Sequence, residues 1–357
     1  MAATSQPSHA AAPSAAVLPL SLAYRVGSLV AALAFVGLMT LVVGESPLSV
    51  LGALIGGAFG TADQLGRVVN TLTVLLLCAA GLVFTFNAGL YNLGIEGQIT
   101  VGAIATTLVL RLLGEALPAP LVIASGIGFG LLGGMGWGLL AGVLKVYGRV
   151  SEIFAGLGLN FVAQGLAIYL IFGPWKRPGV ASTSGTEPFP ESLWLGTFGR
   201  TEATPAGVVL ALAALALTIV VMRRTYFGLR LRAVGLNLRA AHVLGIPATR
   251  QLLAAFALCG ALAGVGGALQ VVGNFHRLIP TISGGLGFLG LLVVMLVNFN
   301  PWFVLPVALF FSALNVGSLQ LPLVLRNVDS TLAGVIQGTL VLSALIGRGL
   351  DQRRSRA

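Results

Sequence analysis

The chain contains 357 residues, of which 57% are hydrophobic and only 8% are charged, and its mean hydropathy is +0.98. Soluble domains carry about 25% charged residues, and disordered chains combine low hydrophobicity with high charge, so this composition excludes both classes. The net charge of +10 arises from basic residues that are dispersed along the chain, which argues against a nucleic-acid-binding surface.

Long charge-free stretches follow one another along the chain and predict an all-α, polytopic membrane protein. A helix that crosses the bilayer core needs about 20 apolar residues. Residues 278–325 carry no charge and exceed one crossing, and the polar residues 298–301 predict a turn between two spans. We predict about ten transmembrane helices, at residues 24–43, 69–87, 96–113, 119–144, 153–173, 204–222, 251–271, 282–298, 302–318 and 331–347.

The placement of Lys and Arg predicts the orientation of these spans. With both termini in the cytoplasm, 13 of the 20 basic residues lie on the cytoplasmic side and 7 on the opposite side. Cytoplasmic loops carry the excess of Lys and Arg, so both termini are expected to be cytoplasmic. A single transmembrane domain over residues 21–348 is thus expected between a disordered tail (1–20) and a basic tail (349–357). Residues 1–20 lack the basic start of a signal peptide.

Three segments outside the predicted spans stand out. Residues 45–67 contain an apolar stretch too short to cross, which predicts an interfacial segment on the outer face. Residues 176–204 form the largest outer loop. Residues 223–250 form the largest and most basic cytoplasmic loop, and we interpret them as a coupling loop.

Small residues mark the interiors of several spans. The fourth span carries a glycine every four residues, at Gly126, Gly130, Gly134, Gly138 and Gly142. This spacing places the glycines on one helical face and predicts close backbone packing within the subunit, with a subunit interface or a moving helix as the alternative. The two cysteines, Cys78 and Cys259, fall inside spans and are expected to be small core residues.

Residues 86–98 concentrate polar side chains between the second and third spans. Asn87, Asn92, Glu96 and Gln98 lie there among apolar residues and glycines. Buried polar groups in a membrane usually face a cavity or a partner, so this segment is a candidate element of a translocation pathway or gate. The alternative is a hairpin turn at the cytoplasmic interface, in which Glu96 meets water and Asn92 caps the next helix. Proton coupling through Glu96 is a third possibility.

Further polar side chains interrupt the apolar spans and complete the candidate substrate pathway. They are Asn87, Asn160, Gln164, Asn274 and Asn298. Side chains of this kind supply hydrogen bonds to a ligand in a mostly apolar cavity, but they equally well form hydrogen bonds between helices.

Residues 233–247 predict a short capped helix in the basic cytoplasmic loop. Asn237 is a favourable N-cap, Gly245 suits the position after the C-cap, and Pro247 stops continuation. Ala240 and Ala241 are expected to form a smooth surface that a motor subunit approaches. The predicted coupling residues are Gly235, Asn237, Arg239, Ala240, Ala241, Gly245 and Ile246. The alternative is a surface turn near lipid headgroups.

The chain lacks the motifs of a self-sufficient enzyme. It contains no Gly-Lys dipeptide and therefore no Walker A phosphate loop. No catalytic or metal-binding motif is present, and the three histidines are scattered. We expect no catalytic residue, no metal site and no cofactor in this chain.

Both motifs resemble those of a known family. Residues 86–98 resemble the signature F-N-x-G-x-x-N-I-G-x-E-G-Q of nucleoside-type bacterial ABC-importer permeases, with Leu93 where the pattern usually has Ile. These permeases belong to the simple-sugar and branched-chain amino acid permease family. Residues 235–246 resemble the coupling pattern of that family, although Leu236 stands where a charged or small residue is common. Residues 285–290, which precede Asn300, also resemble the family.

The resemblance implies a multi-pass permease subunit in the bacterial cytoplasmic (inner) membrane. The implied partners are a cytoplasmic ABC ATPase that binds ATP and Mg, a second permease subunit in a hetero- or homodimer, and an extracytoplasmic substrate-binding protein. The implied substrate is a nucleoside, with a simple sugar as the alternative. From other classes, a proton-coupled secondary transporter using Glu96 and a non-transporting membrane scaffold remain open.

Overall fold

A computed structural model describes residues 34–179, 184–199, 201–325 and 331–354, together with Val30. Over these ranges all regular structure is helical and no strand occurs, which confirms the all-α prediction. The helices are α1 (Ala34–Val42), α2 (Pro47–Phe59), α3 (Ala62–Asn87), α4 (Ile95–Leu113), α5 (Ala119–Val146), α6 (Glu152–Phe172), α7 (Pro205–Arg224), α8 (Tyr226–Leu236), α9 (Leu238–Val243), α10 (Ala248–Leu269), α11 (Leu286–Leu296), α12 (Val304–Ser318), α13 (Leu321–Val324) and α14 (Leu332–Arg354). Short 3₁₀ turns occupy Glu191–Leu193 and Pro301–Phe303, and a π-helical turn, Gln270–Phe275, extends α10.

Seven helical stretches of the described residues are long and apolar enough to cross a membrane. They are α3, α4, α5, α6, α7, α10 with its π-helical turn, and Pro301–Val324. Helices α1 and α2 meet at 99° and make an eighth if they form one broken span. Helix α11 and the apolar part of α14, which correspond to two further predicted spans, are shorter than this length criterion. The predicted tail 1–20 lies outside the described residues, as does most of the predicted span 24–43.

The core of the bundle is built around α3, α4 and α10, which are mostly buried, whereas α5, α6 and α7 turn a large apolar face outward. The glycine stripe of α5 packs against α10. A Cβ atom at Gly134 would overlap the carbonyl oxygen of Gly260, and one at Gly138 would overlap that of Phe256. The two helix backbones therefore touch, which confirms the predicted close packing within the chain. Both cysteines are free and buried, also as predicted.

The segment predicted as outer interfacial, 45–67, is divided between two helices. Ser46 caps α2, and Thr61 forms a capping box with Gln64 at the start of α3. Because this capping box is local, α3 begins seven residues before the predicted span 69–87. Helix α2 packs through Val50 and Leu54 against Leu321 of α13.

Two other boundaries test the predictions near the C-terminus. Asn298 and Phe299 adopt positive φ angles of 52° and 62°, so the predicted turn at residues 298–301 is confirmed. Helix α14 continues to Arg354 and includes residues 349–354 of the predicted basic tail.

Candidate functional site

Residues 88–94 form a non-helical segment, here called the re-entrant segment, between α3 and α4. Asn92 is fully buried, and its side-chain amide exchanges hydrogen bonds of 3.1 and 3.2 Å with that of Gln98. Asn92 also donates to the sulfur of Cys259 at 3.1 Å. Cys259 lies about 16 Å along α10 from its start, given the helical rise of 1.5 Å per residue. The segment therefore reaches deep into the bundle, where surrounding protein covers its backbone.

Two features of the alternative, a hairpin turn at the interface, are wrong. Gly94, not Asn92, is the N-cap residue of α4, and as a glycine it forms no side-chain capping hydrogen bond. Glu96 is only 8% exposed, so its carboxylate does not sit in bulk water. The buried Asn92–Gln98 pair links the segment before α4 to the first turn of that helix.

The carboxylate of Glu96 caps the start of α11. The backbone N–H of Phe288 donates to Oε1 of Glu96 at 2.9 Å. The hydroxyl of Ser283 and the N–H groups of Gly285 and Gly287 lie near the same carboxylate. The first N–H groups of a helix have no partner within it, so a carboxylate from α4 satisfies those of α11 and complements the helix dipole. Glu96 thus joins two helices whose contacting residues are far apart in sequence.

Asn160 joins α6 to the same region. Its Oδ1 accepts a hydrogen bond from the N–H of Gly97 at 2.8 Å, and its Nδ2 donates to the carbonyl of Leu93 at 2.8 Å. One amide therefore holds the first turn of α4 and the end of the re-entrant segment against α6.

A cavity of about 380 Å³, here called cavity A, opens between α4, α6 and the start of α11. Its lining residues are Glu96, Thr100, Leu157, Asn160, Phe161, Gln164, Pro280, Thr281, Ser283, Gly284, Gly285 and Phe288. Ligand pockets of this size are mostly apolar with a few oriented polar groups, and cavity A has that composition. Of the predicted pathway residues, Glu96, Asn160 and Gln164 meet here.

A second cavity of about 730 Å³, here called cavity B, lies at the end of the bundle where α10 finishes. Its walls include the predicted pathway residue Asn274, whose amide donates to the side-chain oxygen of Gln270. Trp194 stacks on His276 in the wall, with ring centroids 3.8 Å apart and planes 9° apart. Arg67 forms a two-bond ion pair with Glu202, at 3.0 and 3.1 Å.

The loop over residues 184–199 is fixed to this end of the bundle by backbone hydrogen bonds. The N–H of Leu195 donates to the carbonyl of Val272, and that of Phe189 to the carbonyl of His276. Burial lowers the pKa of His276, which lies just beyond the π-helical turn. This part of the predicted outer loop is therefore ordered and forms one wall of cavity B.

The predicted capped helix in the basic loop is confirmed as α9. The side chain of Asn237 accepts a hydrogen bond from the N–H of Ala240 at 3.0 Å. Gly245 has a φ of +73°, and the N–H groups of Gly245 and Ile246 donate to the carbonyls of His242 and Ala241. These two bonds form a Schellman motif, the usual glycine-dependent end of a helix.

The surface of α9 differs from the prediction. Ala241 is 2% exposed and packs into the main hydrophobic core, so its predicted place on the exposed surface is wrong. Arg239 and Ala240 are exposed as expected. The outward apolar surface comes from Val243 and Leu244, which are 85% and 76% exposed.

Gly235 brings the basic loop into contact with the re-entrant segment. A Cβ atom at Gly235 would overlap the carbonyl oxygen of Asn87, and one at Gly89 would lie 3.2 Å from the carbonyl oxygen of Gly235. The end of α8 therefore lies directly on the chain that leads to Glu96.

The remaining predicted pathway residues lie outside both cavities. Asn87 donates to the carbonyl of Val83 at 2.8 Å, which is a bond within its own helix. Asn298 is exposed in the turn after α11, and Asn92 and Gln98 bond to each other. Sequence reasoning missed Thr100 and Ser283 as cavity residues, and it included Phe288 only within residues 285–290, which resemble the family.

Comparisons with known proteins place the chain among permeases. A family model described as "Branched-chain amino acid transport system / permease component" matches residues 64–345. The guanosine ABC transporter permease protein NupP of Bacillus subtilis is 27% identical over 88% of this chain and 90% of its own length. The nucleoside ABC transporter permease protein NupB of Lactococcus lactis is 27% identical over 79% of each chain. The glucose ABC transporter permease protein TsgB13 of Haloferax volcanii is 30% identical over 91% of this chain and 88% of its own.

Proposed function

The chain belongs to the family of branched-chain amino acid transport system permease components, and we propose that it is the permease subunit of an ATP-driven importer of nucleosides. The observation that carries the proposal is cavity A. It offers the aromatic rings of Phe161 and Phe288 beside the amides of Asn160 and Gln164. Aromatic rings stack on nucleobases, and amides form hydrogen bonds with the edges of the bases.

The names of two similar permeases, for guanosine and for nucleosides, support this substrate class. A simple sugar is the second candidate, because the glucose permease is similar over most of both chains. A sugar needs many hydrogen bonds, whereas the walls of cavity A are largely apolar, which favours the nucleoside.

We propose ten membrane segments with both termini in the cytoplasm of a bacterium. In this orientation α9 and the basic residues around it face the cytoplasm, and cavity B faces outward. Helices shorter than a full crossing, such as α11, are included among the ten membrane segments. The non-helical residues next to them can lie within the membrane because surrounding protein covers their backbone.

We propose that α9 docks on a cytoplasmic ATPase and that this partner binds ATP and Mg for the transporter. Exposed apolar side chains such as Val243 and Leu244 on a basic loop are typical of a protein interface. Closure of the ATPase would move α9, and the contact of Gly235 with Asn87 would carry this motion into the re-entrant segment. The permease pair then opens outward, receives substrate from a binding protein, and resets after hydrolysis.

Uptake of labelled guanosine and labelled glucose into vesicles tests the proposal. We expect guanosine uptake only when the ATPase and the second permease are both present. Partner-dependent uptake of glucose but not of guanosine would show that the chain transports simple sugars. Uptake by this chain without partners, driven by a pH gradient, would support the proton-coupled alternative instead.

The docking role of α9 has its own test. Val243→Glu places a charge on the exposed apolar surface and keeps the helix, so it should abolish ATP-dependent uptake while the protein remains in the membrane. Tyr147→Glu is the control, because Tyr147 is also exposed but lies on the turn after α5. Normal uptake by the Val243→Glu variant would contradict the docking role.

A further inference from the structure

Cavities A and B are separated by one short piece of backbone. Gly284 lines both cavities, Gly285 lines cavity A, and Leu286 lines cavity B. Residues 283–286 are therefore a partition one chain thick between the two spaces, and they are here called the partition.

The partition lies near the middle of the membrane-spanning bundle. Helix α11 has 11 residues, so it extends about 16 Å, roughly half of a 30 Å hydrocarbon core. Its other end reaches the turn at residues 298–301, where Asn300 accepts a hydrogen bond from Arg223 at the end of α7. The start of α11 and the partition before it are thus well inside the bundle.

The partition is a non-helical turn, in which the N–H of Gly284 donates to the carbonyl of Thr281 and that of Leu286 to the carbonyl of Ser283. Gly284 and Gly285 have φ angles of 58° and 77°, and a Cβ atom at either would meet nothing within 4 Å. Two successive glycines in the left-handed region allow large changes of backbone direction at low steric cost. Segments of this kind are typical of hinges that absorb a change between two states.

One side chain anchors this piece of chain from each cavity. On the side of cavity A, the carboxylate of Glu96 accepts a hydrogen bond from the N–H of Phe288, and the hydroxyl of Ser283 lies near it. On the side of cavity B, Gln270 donates to the carbonyl of Ile282 at 3.1 Å. Gln270 begins the π-helical turn, a distortion that is frequent at functional sites.

We propose that the partition is the gate between the two cavities and that Glu96 is the positioning residue that keeps it closed. The proposal rests on the transport function proposed above, because a gate has meaning only on a pathway. Glu96 follows Gly94 and the re-entrant segment, which touches Gly235 of the coupling loop. Movement of that segment withdraws the carboxylate from the start of α11, and the glycines of the partition then change direction.

Thiol accessibility tests the gate without requiring nucleoside or ATP. Thr100 lines only cavity A and is 6% exposed, whereas Thr197 lines only cavity B and is exposed. Cys78 and Cys259 are fully buried, so the chain without added cysteines gives a low background.

The experiment treats two variants of the full transporter in membrane vesicles, Thr100→Cys and Thr197→Cys, with a charged methanethiosulfonate reagent. The reagent is added on the side from which Thr197→Cys reacts, and modification is followed by the mass of this chain.

We expect Thr100→Cys to react at least about tenfold more slowly than Thr197→Cys. Adding Glu96→Ala should raise the rate at which the cysteine of Thr100→Cys is modified about tenfold. This factor corresponds to a loss of about 1.4 kcal/mol from the free energy that favours the closed gate. Glu96→Gln keeps an oxygen that accepts the bond from Phe288 and should leave the rate within about threefold. Glu115→Ala, which removes an exposed carboxylate just beyond the other end of α4, is the matched control and should have no effect.

Two results would overturn the gate. One is equal reactivity of Thr100→Cys and Thr197→Cys in the parent chain. The other is an unchanged modification rate of Thr100→Cys when Glu96→Ala is added, in a chain that still elutes from size-exclusion chromatography as a folded transporter. If Glu96→Ala does not fold, Gln270→Met loses the opposite anchor at similar size and should raise the same rate. Expected labelling without nucleoside uptake would refute the substrate proposal and leave the gate in place.

Discussion

Alanine at Gly134 should destabilise the chain more than the same substitution two residues along the same helix. A Cβ atom at Gly134 would overlap the carbonyl oxygen of Gly260 and lie 2.6 Å from the Cα atom of Gly264. Both neighbours are backbone atoms of α10, so neither can swing away. A Cβ atom at Gly136 would meet nothing within 4 Å.

The comparison isolates the cost of the overlap. In each variant alanine gains about 0.8–1 kcal/mol of helix propensity over glycine, and this gain cancels in the difference. Overpacking in a tight core costs about 1–3 kcal/mol, because the helices must separate or bend. At roughly 2 °C per kcal/mol, the Gly134→Ala variant should melt about 2–6 °C below the Gly136→Ala variant.

Thermal unfolding of the purified chain in detergent provides the assay. A thiol-reactive fluorogenic dye reports unfolding because Cys78 and Cys259 are both 0% exposed in the folded chain. Gly136→Ala should match or exceed the parent melting temperature. Equal melting temperatures for the two variants would refute the inference that the α5 and α10 backbones are in contact at Gly134.

Three further predictions use the same assay. Asn92→Leu leaves the buried amide of Gln98 without its partner and should lower the free energy of unfolding by about 1–3 kcal/mol. Adding Gln98→Leu should recover part of this stability, and no recovery would contradict the pairing. Gly287→Ala puts a Cβ atom 2.8 Å from Oε1 of Glu96 and 2.8 Å from Cγ2 of Ile95. Both are side-chain atoms, which can shift more easily than backbone, so the melting temperature should fall less than with the backbone overlap above. Burial lowers the pKa of His276 below about 6.5, so stability should be constant above that pH and fall as the unfolded chain takes up a proton below it. His276→Gln should flatten this fall below about pH 6.5, and an unchanged slope would count against the lowered pKa of His276.

Much of the fold is predictable because the deciding interactions are local. The apolar runs give the positions of most long helices, since the length of a crossing is set by the bilayer. Asn237 and Gly245 predict the ends of α9, because an N-cap and a Schellman motif involve residues only a few positions apart. The glycine stripe predicts a close helix contact, although it does not name the partner helix.

The predicted site was only partly right, because the deciding contacts join residues that are far apart in the sequence. The bond between Glu96 and Phe288 joins residues separated by 192 positions, and that between Asn92 and Cys259 joins residues separated by 167. Ala241 was placed on the wrong face of α9 because six helical residues contain too few apolar positions to define a buried side. Such contacts depend on the rotation and depth of each helix.

The membrane class, the order of most helices, the capped helix α9 and the absence of a Walker A motif can all be read from the amino-acid sequence. The packing of the helices is needed to show which polar residues meet in cavity A, which glycines touch, and that Glu96 caps α11. The physical reason is that these helices are apolar on all sides, since lipid and protein interior are equally apolar neighbours. Periodicity therefore carries little information about which face turns inward, and packing settles it.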